Sequence, residues 1–271
     1  MTDGHLSKPI LFVGDTHADA SRLIPRINRA HDEGVEYVVQ VGDFGYWPRH
    51  PPLSGFVEQV SRVLAESSMT LYFVRGNHED QAELARLAAG ATGPVELAPH
   101  VCYVPDGTGF ALYGVRLLGV GGAPSIDRRA RTKGYDWWPA EVLSRRAASS
   151  IAAVAARTEV DVVVAHDCPA ETDLPGLLPW AAGERHRRRM SRVLRGVRPA
   201  WWISGHYHLR HSQVVRSRVG EPCRVEVLSH EGDGPRAQLI VEAAALRRRG
   251  DAPQAEPGPG DPPAGIIRLA R

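Results

Sequence analysis

The chain has 271 residues, 43% hydrophobic and 24% charged, a composition that suits a soluble globular protein with a sizeable buried core. Its formal net charge is only +2, which gives no global electrostatic case for nucleic-acid or membrane binding. Three separated cysteines without a CxxC argue against a disulfide framework or a thiolate zinc cage, and the absence of an apolar leader or an apolar run of roughly 18 residues makes a cytoplasmic protein the expectation.

Pro9–Val13 is a short apolar run ending at Gly14, the pattern of a buried strand. Ala20–Ala30 follows with helical spacing at Leu23, Ile24 and Ile27. Tyr37–Val41, Phe56–Ala65, Thr70–Val74 and Gln81–Ala89 repeat the alternation of strand and helix. That order predicts right-handed βαβ units and a parallel core sheet. Further along, Phe110–Tyr113 and Arg116–Val120 predict a hairpin around Gly114, and Pro139–Ala156 predicts an Ala-rich helix. Val160–Ala165 and Trp201–Ser204 read as strands flanking a helix at Arg185–Arg195. Gln213–Arg216, Arg224–Leu228 and Gln238–Val241 read as successive antiparallel strands. A domain over residues 1–245 is therefore expected, and the Pro/Gly-rich stretch 246–271 lacks the apolar residues to order itself.

The residues that follow these strands are uniform in kind. Parallel sheets bind ligands outside the carboxyl ends of their strands. There stand Asp15-Thr16-His17, Asp43, Asn77-His78-Glu79, His166 and His206-Tyr207-His208, most of them after a glycine. Taken singly, an aspartate after a strand is ordinarily a turn or helix cap, and a histidine there is often a satisfied core residue. Five strand ends delivering carboxylates, imidazoles and one amide in a single chain are a metal-ligand pattern. Lacking thiolate, the set suits Mn²⁺ first, with Fe or Zn²⁺ as alternatives.

The series DxH, GD, GNHE, H and GHxH resembles the motifs of the calcineurin-like metallophosphoesterase superfamily, over roughly Pro9 to Leu209. The resemblance implies an α/β fold, a four-layer αββα sandwich with two mixed sheets, and two divalent metal ions. It implies that Asp15, His17 and His208 hold one metal, that Asn77, His166 and His206 hold the other, and that Asp43 bridges them. It assigns His78 a catalytic role beside the leaving group and implies hydrolysis of a phosphomonoester or phosphodiester, the substrate being nucleotide or nucleic acid among the options. In the phosphoprotein branch an aspartate of a GDxVDRG segment orients this histidine. Here Gly42–Pro48 lacks both that aspartate and the phosphate-gripping arginine, which leaves Glu79 and Asp80 as the nearby candidates to orient His78. Rival readings are a nuclease or RNA-debranching-like enzyme, a phosphoprotein phosphatase, and an inactive scaffold of the same fold.

Between the hairpin and the next helix, Gly121–Trp138 is too long and too rich in Arg and Trp for a minimal connector, so it is expected to flank the pocket. Arg128, Arg129, Arg131 and Lys133 would grip a phosphate or remain solvated, and Trp137 would stack on substrate or pack at the rim. Cys168 reads as a bystander thiol, and the run Arg185–Arg189 as a solvated helix face or a phosphate contact.

Overall fold

The computed structural model describes residues 8–178, 180–216 and 222–247. Strand β1 (Pro9–Val13) leads into α1 (Ala20–Asp32), which starts where the Asp19 carboxylate accepts the Arg22 N–H. Then come β2 (Tyr37–Gln40), α2 (Phe56–Glu66), β3 (Thr70–Phe73) and α3 (Gln81–Leu87), capped by Asp80. A short hairpin that hydrophobic spacing does not reveal, β4 (Val95–Ala98) and β5 (Val101–Tyr103), completes this half. The second half opens with the predicted hairpin, β6 (Gly109–Leu112) and β7 (Val115–Val120).

The single helix expected over Pro139–Ala156 is instead a 3-10 turn at Pro139–Glu141 followed by α4 (Arg145–Ala155). Val142 is extended, and the Ser144 hydroxyl accepts the Ala147 N–H to start the helix anew. Next in the chain are β8 (Val162–Ala165), α5 (Ala181–Val197), β9 (Trp201–Ser204), β10 (His211–Arg216), β11 (Pro222–Val227), β12 (Gln238–Glu242) and α6 (Ala243–Leu246).

Two six-stranded mixed sheets result, ordered β12-β1-β2-β3-β5-β4 and β10-β11-β9-β8-β7-β6. The last three strands do not form the expected antiparallel series. Only β10 and β11 pair that way. Strand β11 lies parallel to β9, and β12 crosses to the other sheet beside β1. Ile10, Phe12, Val39, Val162, Val164 and Ile203 fill the space between the sheets. Leu23, Ile27, Val60 and Leu64 seal the first sheet under α1 and α2, while Ile151, Met190 and Leu194 seal the second under α4 and α5. The layers are therefore helix, sheet, sheet, helix, as the resemblance implies. Among the described residues no helix is long and apolar enough to cross a membrane.

Of the stretch 246–271 expected to lack structure, residues 248–271 lie outside the described residues, whereas Leu246 is the last residue of α6 and is buried, because its apolar side chain finds a place between the sheets. Ala243 and Leu246 both stand at 0% exposure in that layer. Ending the chain after Arg247 should leave the melting temperature unchanged, whereas ending it before Ala243 should lower it by roughly 3–12 °C, from a buried leucine worth about 1.5–3 kcal/mol. A large drop on the first truncation, measured by thermal denaturation, would show that the tail docks on the domain.

Candidate metal centre

The parallel strands of both sheets run out at one edge, and their carboxyl ends meet there. From the first sheet come Asp15 and His17 after β1, Asp43 after β2 and Asn77 and His78 after β3. From the second come His166 after β8, His206 and His208 after β9, and Glu231 beyond β11. The turns are tight. His17, Asp43, His206 and His208 all adopt left-handed backbone, with φ of 45°, 53°, 73° and 51°. Each such residue costs on the order of 1–3 kcal/mol, strain that folds retain where side chains must be aimed. Gly42 (φ 99°) packs against the site, and a Cβ there would stand 2.5 Å from His166 Nδ1.

Asp43 sits between two sets of ligand-type atoms. Its Oδ1 lies 3.3 Å from His166 Nε2 and accepts the His78 N–H at 2.7 Å, while Oδ2 lies 3.4 Å from His17 Nε2. On one side, ligand atoms of Asp15, His17 and His208 fall within 4.8 Å of one another, with His208 Nε2 3.1 Å from Asp15 Oδ2. On the other, Asp15, Asp43 and His166 form a second such group, and Asn77 Oδ1 is 3.1 Å from His166 Nε2. His206 joins neither group but its ring centroid lies 5.0 Å from that of His166. His78 completes a third group with His17 and Asp43.

The electrostatics match a place built for cations. Burial drives the Asp43 carboxyl up, but His166 and His78 outweigh it and hold the group well below the usual carboxylate range. Burial works equally against protonated His17 and His166, yet Asp43 and Asp15 raise both imidazoles to about 10. Burial and the charge of His166 push His206 down to about 4. Without metal, then, two protonated imidazoles neutralise the carboxylates. Their raised pKa contributes stability that is complete below pH 6.5 and is lost as pH climbs through about 10.

Outer partners fix the ligand atoms, and sequence reading missed most of them. His166 Nδ1 donates to Val41 O at 3.0 Å, leaving Nε2 to the site. His17 Nδ1 is 2.9 Å from Glu231 Oε2, the carboxylate brace expected of a metal-bound imidazole. Asn77 Nδ2 donates to Ser125 Oγ, which in turn donates to Glu141 Oε2 at 2.7 Å, so the amide oxygen is the atom turned inward. Glu79 accepts the Gly45 and Gly76 N–H groups, stapling two of the turns together, and burial and Asp43 push its carboxyl up to about 8. Asp80 caps α3 and pairs with Arg49. Neither of these acids touches the His78 ring.

Arg131 does. Its Nη2 lies 2.6 Å from His78 Nε2 and 3.1 Å from Nδ1, and the same guanidinium pairs with Asp127 at 2.9 Å. The side chain is only 8% exposed. Of the other basic candidates from sequence, Arg128 and Arg129 are exposed on the adjacent 3-10 turn, Lys133 is exposed beyond it, and none forms a hydrogen bond to the histidine cluster. Trp137 is half-buried, while Trp138 is buried against Trp47 at 6.0 Å between ring centroids.

Metal ions fit these residues. Asp15 Oδ2 is fully buried and accepts no hydrogen bond despite the nearby imidazole, an orphan that a cation would satisfy. The donors are carboxylate, imidazole and amide oxygen, without thiolate, since Cys168 is buried and its thiol is pushed up to about 12 by burial and Asp167. If the Ser125–Glu141 pair sets the Asn77 amide, Ser125→Ala should weaken metal binding on that side by about 10–100-fold and leave the other side unchanged. Isothermal titration resolving the two sites checks this, and equal losses at both would contradict it.

Comparisons with known proteins agree with the fold. The chain is similar to the TT1561 protein of Thermus thermophilus, with a TM-score of 0.53 at 16% identity, covering 88% of this chain and 99% of that one. It is also similar to a dimetal phosphatase from Danio rerio, with a TM-score of 0.51 at 12% identity, covering 86% and 92%. No curated protein matches it in sequence. The family described as calcineurin-like phosphoesterase matches residues 8–210, the stretch that holds every strand end from Asp15 to His208. On that match over most of its length, the chain belongs to the calcineurin-like phosphoesterase family.

Proposed function

We propose that this protein hydrolyses phosphodiesters and phosphomonoesters with two divalent cations, Mn²⁺ first among them, held by Asp15, His17 and His208 on one side and by Asn77, His166 and His206 on the other. The observation that carries the reading is Asp43, whose two oxygens face His166 and His17 separately and so can serve both sides. When bound, such cations polarise the phosphoryl group and acidify water. His78 would stand beside the departing oxygen, held by the Asp43 carboxylate at its backbone N–H and by Arg131 at its ring. Burial and the Arg131 charge keep its imidazole below the ordinary value, so that once protonated it gives the proton up readily.

Arg131 supplies a cation beside His78, and Asp127 pairs with it at 2.9 Å. One such compensated charge suits the single negative charge of a diester better than the dianion of a monoester. The expected result is diester hydrolysis at least comparable to monoester hydrolysis, with phosphopeptides poor. Comparing kcat/KM for bis-nitrophenyl phosphate, nitrophenyl phosphate and a phosphoserine peptide with Mn²⁺ added tests this. A clear preference for the peptide would return the protein to the phosphoprotein phosphatases.

A further inference from the structure

The net charge of the chain hides a strongly cationic face on the outer helices. Structure divides the run Arg185–Arg189 in two. His186 turns inward to Asp167, 2.7 Å from it, and Arg187 is buried on the Pro169 and Thr172 carbonyls. Arg185, Arg188 and Arg189 turn outward and continue along α5 as Arg192 and Arg195, spaced at three and four residues. The stripe runs roughly 15 Å at 1.5 Å per residue.

A groove of about 550 Å³ lies between this stripe and α4, which adds Arg145. The helices cross closely enough that a Cβ on Gly196 would stand 2.7 Å from Ala152 Cα, so the long arginines rise as walls on either side of small residues such as Ala148. Glu171 is the one acid lining the groove and is taken up by Arg195 at 2.9 Å. Arg189 donates to Leu143 O and Arg192 to Ser149 Oγ. Among the described residues no hydrogen bond or ion pair engages the guanidinium of Arg145, Arg185 or Arg188. Like charges three and four residues apart destabilise a helix, and burial together with Arg145 and Arg185 lowers the pKa of Arg189. Apart from Glu171, no acid lines the groove to relieve that repulsion.

From this placement we propose that the groove between α4 and α5 binds the phosphate backbone of a nucleic-acid strand. A single phosphate is satisfied by a few guanidiniums, whereas a line of them roughly 15 Å long matches several phosphates in succession. The lining holds no aromatic ring for a base to stack on, so the contact is to phosphate and independent of sequence. The inference stands on charge placement and does not depend on the hydrolytic reading.

The test is fluorescence anisotropy of a labelled, hydrolysis-resistant phosphorothioate oligonucleotide with the metal-loaded protein across a salt series. Replacing Arg185, Arg188 and Arg192 by Gln should weaken binding at least about tenfold and flatten the slope of log Kd against log salt by about 2, at roughly 0.7 per phosphate contact on a single strand. Replacement of the same three by Lys should keep most of the slope. The glutamine variant should melt like the wild type and hydrolyse a small ester at the same rate, since none of the three reaches the metal centre. Wild-type affinity and slope in the glutamine variant would overturn the proposal, as would binding of inorganic polyphosphate without binding of the oligonucleotide.

Discussion

Asp43→Asn should abolish turnover and strip the protein of metal, unequally on the two sides. Oδ1 accepts the His78 N–H at 2.7 Å, so the asparagine carbonyl oxygen will take that position and direct its NH₂ toward His17. An NH₂ group ligates no cation. The side built from Asp15, His17 and His208 should therefore empty first, and the side of Asn77 and His166 should weaken through the lost charge. The losses should exceed the roughly 10–100-fold that follows from removing an outer-shell partner. Metal analysis after dialysis, with steady-state rates, measures both. Two full equivalents and a normal rate in Asp43→Asn would remove the bridging role.

His78→Ala should behave in the opposite way, keeping metal and losing rate. The His78 ring lies against Arg131, and its backbone N–H is held by Asp43. Help from a general acid is worth about 10²–10⁴-fold, and the loss should shrink as the leaving group improves. Alkyl esters should therefore suffer more than nitrophenyl esters. Arg131→Ala should show the same leaving-group trend at smaller size together with a raised KM, because Arg131 touches the His78 ring and, on the proposed reading, would face the substrate. Equal losses for alkyl and nitrophenyl esters in His78→Ala would count against the acid role.

The difference between what the sequence disclosed and what it did not has a physical basis. Asp15, His17, Asp43, Asn77, His166, His206 and His208 were legible because each follows an apolar run that can only be a buried strand, and parallel strands present their ends together. Glu231 was missed although it follows β11 in the same way. That strand reads as part of an antiparallel meander, and only its pairing with β9 shows that its end opens on the site. Ser125 and Glu141 act on Asn77 through hydrogen bonds across 48 and 16 residues, which no periodicity encodes. On the Arg-rich segment the sequence offered Arg128, Arg129, Arg131 and Lys133 alike, and periodicity could not tell which of them turns toward His78. A local turn exposes Arg128 and Arg129, while the Asp127 pair folds Arg131 inward.

The helix boundaries follow the same logic. Ser144 is a strong start signal inside an Ala-rich stretch, and it outweighs the helix propensity of the residues before it. The short β4–β5 hairpin was invisible because Val95–Ala98 alternates weakly and is only half-buried.

The most direct test of the account is a calorimetric titration of the metal-free protein with Mn²⁺. Two equivalents should bind per chain, tighter at about pH 8 than at about pH 6, because His17 and His166, raised to about 10 without metal, must give up their protons to bind it. Hydrolysis of bis-nitrophenyl phosphate should appear only as the second equivalent fills. A single equivalent, or none, with Mn²⁺, Fe²⁺ and Zn²⁺ alike would contradict a dimetal centre.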